Sequence, residues 1–208
     1  MLCRNESTLC LACYIEIPRT GFHNDPENEV SRLFWGRVPI KHATAFMYFS
    51  KTSRYRQILH ELKYRGQQET GLEMGRIFGM ELRKTAFAAA DMIHPVPLHP
   101  SKQKKRGYNQ SELIARGISE VTNIPLETGG VRKISGSSTQ TRKSKYERWE
   151  NVKDIFRVDN PQTVRNKHIL LVDDVITTGA TMEACASVLL AEEGVTVSLA
   201  SLAYTKLY

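Results

Sequence analysis

No apolar run of about eighteen residues occurs in this 208-residue chain, so no membrane-spanning helix is expected. The N-terminal stretch interleaves Arg4, Asn5, Glu6 and Glu16 with apolar residues, unlike an export signal, and the cytoplasm is the expected setting. Internal repeats and low-complexity tracts are missing. No Gly-Lys-Ser/Thr follows a glycine-rich turn, so the chain carries no P-loop. Neither a Ser/His/Asp nor a Cys/His pattern nor a metal-hydrolase spacing is present, and chemistry through a nucleophilic side chain is not indicated.

What remains is an ordinary globular composition, 41% apolar, long enough for one well-buried α/β domain and a small appendage. The net charge is +7, and it is concentrated: between Lys102 and Arg148 eleven Lys/Arg face four Asp/Glu, an excess of 11 − 4 = +7. A local excess suits an anionic ligand or nucleic acid, and a solvated basic face is the plainer alternative. Aromatics do not alternate with the basic residues there, which argues against a stacking platform for single strands.

The most informative segment is Ile169-Leu-Leu-Val-Asp-Asp-Val-Ile-Thr-Thr-Gly-Ala-Thr181. Ile169 to Val172 has the unbroken apolar character of a strand buried on both faces, and the strand is expected to stop at Asp173 and Asp174. The aspartates then lie at the carboxyl edge of the sheet, where open α/β sheets bind ligands. Thr177, Thr178, Gly179, Ala180 and Thr181 lead into a helix with Met182, Cys185, Val188 and Leu189 on its apolar face. A helix start offers unpaired N–H donors and a positive dipole end, and Gly179 allows close backbone approach, so the turn suits a phosphate. Paired carboxylates repel phosphate and prefer hydroxyls or a cation. The order thus separates a phosphate pocket from a polyol pocket.

This segment resembles the phosphoribosyl pyrophosphate signature of type I phosphoribosyltransferases. The resemblance implies that Asp173 and Asp174 hold the ribose hydroxyls and that Thr177 to Thr181 wrap the 5-phosphate. The wider pattern is similar to one subgroup, the competence protein ComF family. The residues carrying it are the N-terminal cysteines, Leu62-Lys-Tyr-Arg-Gly66, Pro95-Val-Pro97, Arg106-Gly-Tyr-Asn-Gln110, Gln140 to Asn151 and the signature itself. The implied fold is a doubly wound, mainly parallel sheet of the type I phosphoribosyltransferase kind with a small cysteine-containing appendage. Residues 1–40 form the expected appendage, in which 14–40, rich in Pro, Asn, Asp and Glu, read as an irregular arm, and 41–208 the main domain.

Along the main domain, Ala43 to Phe49 reads as a strand and Thr52 or Ser53 caps a helix bearing Tyr55, Ile58, Leu59 and Leu62. A second helix is expected from Gly71 to Lys84, then a strand from Met92 to Val96. The strand runs into the proline-stiffened loop Pro97, Leu98, His99, Pro100, where the resemblance places the pyrophosphate beside the basic run Lys102 to Arg106. Asn109 and Gln110 open the next helix, either as caps or as ligand contacts. Pro125 to Ile134 holds a further strand, and the polar stretch from Ser135 to Lys145 is either disordered or a lid. Within it, Arg142, Lys143 and Lys145 either close over pyrophosphate or lie in an ordinary solvated loop. Ile155 to Val158 and Val195 to Ala203 complete the strands.

Cys10 and Cys13 share a Cys-x-x-Cys spacing, and with Cys3 they read as a Zn²⁺ half-site or as small buried or redox thiols. His23 is a distant fourth ligand, and the chain is expected to begin inside its first Cys-x-x-Cys. The resemblance implies that a nitrogen nucleophile displaces pyrophosphate at the anomeric carbon with Mg²⁺ neutralising the leaving group. The second expectation is a binding protein for single-stranded DNA or competence-machinery proteins, with the sugar-phosphate pocket regulatory or vestigial.

Overall fold

The computed structural model describes residues 11–50, 68–134 and 155–206. The expected helix after Thr52, the Leu62 to Gly66 motif, Cys3, Cys10, Arg142, Lys143 and the rest of the polar stretch lie outside them.

Six strands are present among the described residues: β1 (Ala43–Tyr48), β2 (Met92–Pro95), β3 (Val131–Lys133), β4 (Phe156–Val158), β5 (His168–Ile176) and β6 (Thr196–Tyr204). Six helices accompany them, α1 (Leu11–Ile15), α2 (Glu29–Arg32), α3 (Gln68–Leu82), α4 (Pro100–Arg106), α5 (Gln110–Thr122) and α6 (Ala180–Leu190). The main sheet has the order β1-β6-β5-β2 and is parallel throughout, while β3 and β4 form a separate antiparallel pair. Helices cover both faces of the main sheet, as the alternation of strands and helices in the sequence requires.

Residue alternation sorts the core into two layers. Phe46, Leu170, Val172 and Leu202 pack with Met74, Ile77, Phe78 and Leu82 of α3 and Ile114 and Ile118 of α5. Ala45, Ile169, Leu171, Val197 and Leu199 pack with Met182, Cys185 and Leu189 of α6 on the other side. Helices α3 and α5 approach closely because a Cβ on Gly75 would meet the Ile114 backbone and one on Gly117 the Leu72 carbonyl.

The residues before β1, read as an irregular arm, contribute to this second layer. Phe22, Val30, Phe34 and Val38 are buried in it. Asn28 caps α2 through Val30 N and Ser31 N at 2.9 and 3.0 Å and also donates to Ala43 O at 2.8 Å, tying the arm to β1. Tyr48 N donates to Pro18 O at 2.9 Å and Thr20 N to Phe46 O at 3.0 Å, so the arm pairs with the outer edge of β1.

Two boundaries differ from the sequence reading. Strand β5 does not stop at the aspartates but continues through Asp173 and Asp174 to Ile176, since β6 runs alongside it as far as Tyr204 and supplies backbone partners. The run Lys102 to Arg106 is helical: His99 caps α4, Pro100 occupies its first position and Gly107 ends it in the left-handed region.

Candidate active site at the carboxyl end of the sheet

Parallel pairing of β2 with β5 aligns Pro95 with Val172, and Val96 N donates to Val172 O at 2.8 Å. The loop after β2 therefore emerges beside Asp173 at the carboxyl end of the sheet, where the turn after β5 also lies. Asp173 is buried, and its Oδ1 accepts from Ser111 Oγ at 2.8 Å and Asp174 N at 2.9 Å. Asp174 is only half-buried. One carboxylate is thus fixed by helix α5 while its neighbour keeps partial access to solvent.

In the turn, Thr177, Thr178, Ala180 and Thr181 are exposed and Gly179 is buried. Gly179 caps α6 with φ +78, a conformation L side chains seldom adopt, and a Cβ there would lie 2.9 Å from two ring carbons of Phe34. Thr178 Oγ1 accepts from Ala180 N at 3.5 Å. The helix start offers backbone donors and the positive dipole end to an anion, bordered by three threonine hydroxyls.

Several expected ligand residues are engaged within the protein. Asn109 caps α5, accepting from Ser111 N at 3.2 Å, and its Nδ2 donates to Val96 O at 3.0 Å. It pins the loop after β2 to the helix that holds Asp173. His99 Nδ1 accepts from Ser101 N at 3.2 Å as the cap of α4. Arg106 Nη1 donates to Gln110 Oε1 at 2.7 Å, and Gln110 is buried. Pro97 and Leu98 are half-buried in the loop itself.

Sequence reading gave no role to Lys133, which the fold brings to this end of the sheet. The amine is half-buried, lies 5.2 Å from the centre of the Phe156 ring and shares the electrostatic surroundings of Asp173 and Lys102. Burial first and Lys102 second push its pKa below the ordinary lysine value, with Asp173 opposing them. Its strand is docked by His94, whose Nε2 accepts from Val131 N at 3.2 Å while Nδ1 donates to Pro95 O at 2.8 Å. Burial lowers the His94 pKa and keeps the ring neutral for this double role. No local signal marks Lys133 in the sequence, because its surroundings come from residues distant in the chain.

Cys185 is fully buried, and burial pushes its thiol well above the ordinary range, so it serves packing. Cys13 is exposed on α1. His23 Nδ1 lies 3.4 Å from Glu81 Oε2 and Nε2 lies 3.0 Å from Asn24 Nδ2. Among the described residues, no group of three or more His, Cys, Asp or Glu is placed to hold a metal ion. No helix among them is long and apolar enough to cross a membrane.

A phosphoribosyl transferase domain model matches residues 104–206. A DNA utilization protein, YhgH, of Shigella flexneri is 31% identical over 146 residues, covering 68% of this chain and 63% of that protein. Competence protein ComFC of Bacillus subtilis is 30% identical over 146 residues, 70% of this chain and 57% of that one. Competence protein F of Haemophilus influenzae is 34% identical over 100 residues, 48% of this chain and 44% of that one. The chain thus covers less than two thirds of the length of these relatives.

Proposed function

Since the chain belongs to the ComF family of phosphoribosyltransferase-like proteins, we propose that the carboxyl end of its sheet binds phosphoribosyl pyrophosphate with Mg²⁺ and transfers the phosphoribosyl group to a nitrogen nucleophile. The observation that carries this reading is the sequence of groups along β5 and its turn. A fixed carboxylate, a half-exposed carboxylate and a helix start with exposed threonines follow one another, and Lys133 shares the surroundings of Asp173.

Asp173 and Asp174 orient the ribose hydroxyls, and the turn Thr177 to Thr181 holds the 5-phosphate. Lys102 and Lys133 face the pyrophosphate as it leaves and gathers charge. The partial desolvation of Lys133 strengthens that interaction, because an arriving anion favours the protonated amine. The two carboxylates are hard oxygen donors of the kind Mg²⁺ accepts, and Mg²⁺ neutralises the pyrophosphate when bound. Arg142 and Lys143, outside the described residues, are assigned to the closing lid on the family resemblance alone.

Isothermal titration with phosphoribosyl pyrophosphate and Mg²⁺ tests the reading. Wild type is expected to bind and Asp174→Ala to bind at least about tenfold more weakly, the loss of one charge-assisted contact. Absence of binding in the wild type removes the proposal.

A second reading, binding of single-stranded DNA or a competence partner, is favoured by α4, where Lys102, Lys104 and Lys105 are all exposed with no acidic residue on the helix. Its signature is an affinity for single-stranded DNA that falls steeply with salt. For Zn²⁺ held by Cys3, Cys10 and Cys13, the support is the cysteine spacing, and elemental analysis is the check. His23 would have to leave Glu81 and Asn24 to join them.

A further inference from the structure

The turn Thr177 to Thr181 is gripped by a segment far from it in sequence. Arg37, in the arm before β1, donates from Nη1 to Leu33 O at 2.8 Å and to Thr178 O at 2.9 Å. Its Nη2 pairs with the carboxylate of Glu183, in the first turn of α6. The guanidinium lies 5.9 Å from the centre of the Phe34 ring, and Phe34, fully buried, is the side chain that leaves room only for glycine at position 179.

Two physical consequences follow for an anion at the turn. A trans peptide holds its C=O and N–H in opposite directions, so a Thr178 carbonyl aimed at Arg37 directs the Gly179 N–H away from the arm. Glu183 places negative charge within the first turn of α6, where it competes with a bound phosphate for the positive end of the dipole. Arg37 neutralises that carboxylate from the arm side.

We propose that Arg37 is a positioning residue for the 5-phosphate: it sets the orientation of the Thr178–Gly179 peptide and cancels the charge of Glu183, making the N-terminal arm part of the phosphate site. The inference rests on the sugar-phosphate reading of the turn. Arg37 touches no substrate atom in this scheme and acts through the turn and Glu183.

The test combines titration with ribose 5-phosphate, titration with inorganic pyrophosphate, and amide hydrogen exchange of residues 177–181 in the free protein. The variants are Arg37→Ala, Arg37→Lys and Arg37→Ala/Glu183→Gln. Arg37→Ala is expected to lose about tenfold in affinity for ribose 5-phosphate, to leave pyrophosphate binding unchanged and to speed exchange in the turn. Arg37→Lys retains the charge beside Glu183 but not the forked donor, and recovers part of the loss. Arg37→Ala/Glu183→Gln recovers the electrostatic part without slowing exchange. A wild type that binds no ribose 5-phosphate overturns the sugar-phosphate reading and this inference with it. Binding that Arg37→Ala leaves intact, equal losses for the two ligands, or turn amides exchanging at the wild-type rate overturn the inference alone.

Discussion

The two ends of the sheet bury polar groups in different company. At the amino end, His168 N donates to Asp91 Oδ2 at 2.7 Å, and the ring bridges Ala89 O at 3.2 Å and Ser198 Oγ at 2.8 Å. A carbonyl only accepts, so Nδ1 carries the proton and Nε2 accepts from Ser198. These three contacts tie His168 to Asp91, Ala89 and Ser198. At the carboxyl end, charged groups of one sign, Lys102 and Lys133, share the surroundings of Asp173, and the α6 helix start lies among exposed hydroxyls. The amino end ties its polar groups to one another, and the carboxyl end is where the proposed anion would bind. Stability and ligand affinity should therefore respond differently at the two ends.

The largest expected effect is at the carboxyl end, where Gly179→Ala should touch both quantities. The left-handed backbone and the collision with Phe34 together cost about 2 to 4 kcal/mol of stability. Denaturant unfolding measures that loss, and titration with phosphoribosyl pyrophosphate should show affinity falling as well, since the turn must shift. A variant of wild-type stability would mean that Phe34 yields freely and the turn is not clamped.

His168→Ala is the counterpart at the amino end. Leaving Ser198 without its partner and opening space beside it should cost about 1 to 3 kcal/mol, with ligand affinity unchanged. Acid should weaken both ends, since burial lowers the pKa of His168 and of His94 below the ordinary 6.5. A histidine held neutral in the fold contributes fully above the unfolded value and loses that contribution as pH falls from about 6.5 through the lower folded value. Urea midpoints across that interval should fall more steeply for wild type than for His168→Ala. At the carboxyl end the same acid step removes the acceptor that holds Val131, loosening the strand that carries Lys133.

The contrast between the ends was unevenly legible in the sequence. Asp173, Asp174 and the turn were legible because a buried parallel strand, two carboxylates and a glycine turn leave local marks. The true end of β5 was not, because its last residues depend on how far β6 extends. Helix α4 was hidden by its charge, although His99 and Pro100 are start signals. The arm was read as irregular from its Pro, Asn, Asp and Glu, while Val30, Phe34 and Val38 already carried a four-residue spacing that the fold buries. Arg37 and Lys133 could not be assigned locally, since each acts on residues distant in the chain.

Lys133→Met should separate stability from affinity at a single position. The amine is half-buried beside another lysine, so replacing it by an apolar side chain of similar length removes a desolvation cost along with the attraction of Asp173. After solvent screening, the net change in stability should stay within about 1 kcal/mol. Affinity for pyrophosphate should nevertheless fall by about tenfold, the scale of one charge-assisted contact. Paired unfolding and titration experiments read both, and wild-type pyrophosphate affinity in Lys133→Met would show that the lysine serves the β3–β4 pair rather than the ligand. A loss of affinity without a loss of stability is the behaviour that the amino end, with its polar groups bonded to one another, should never show.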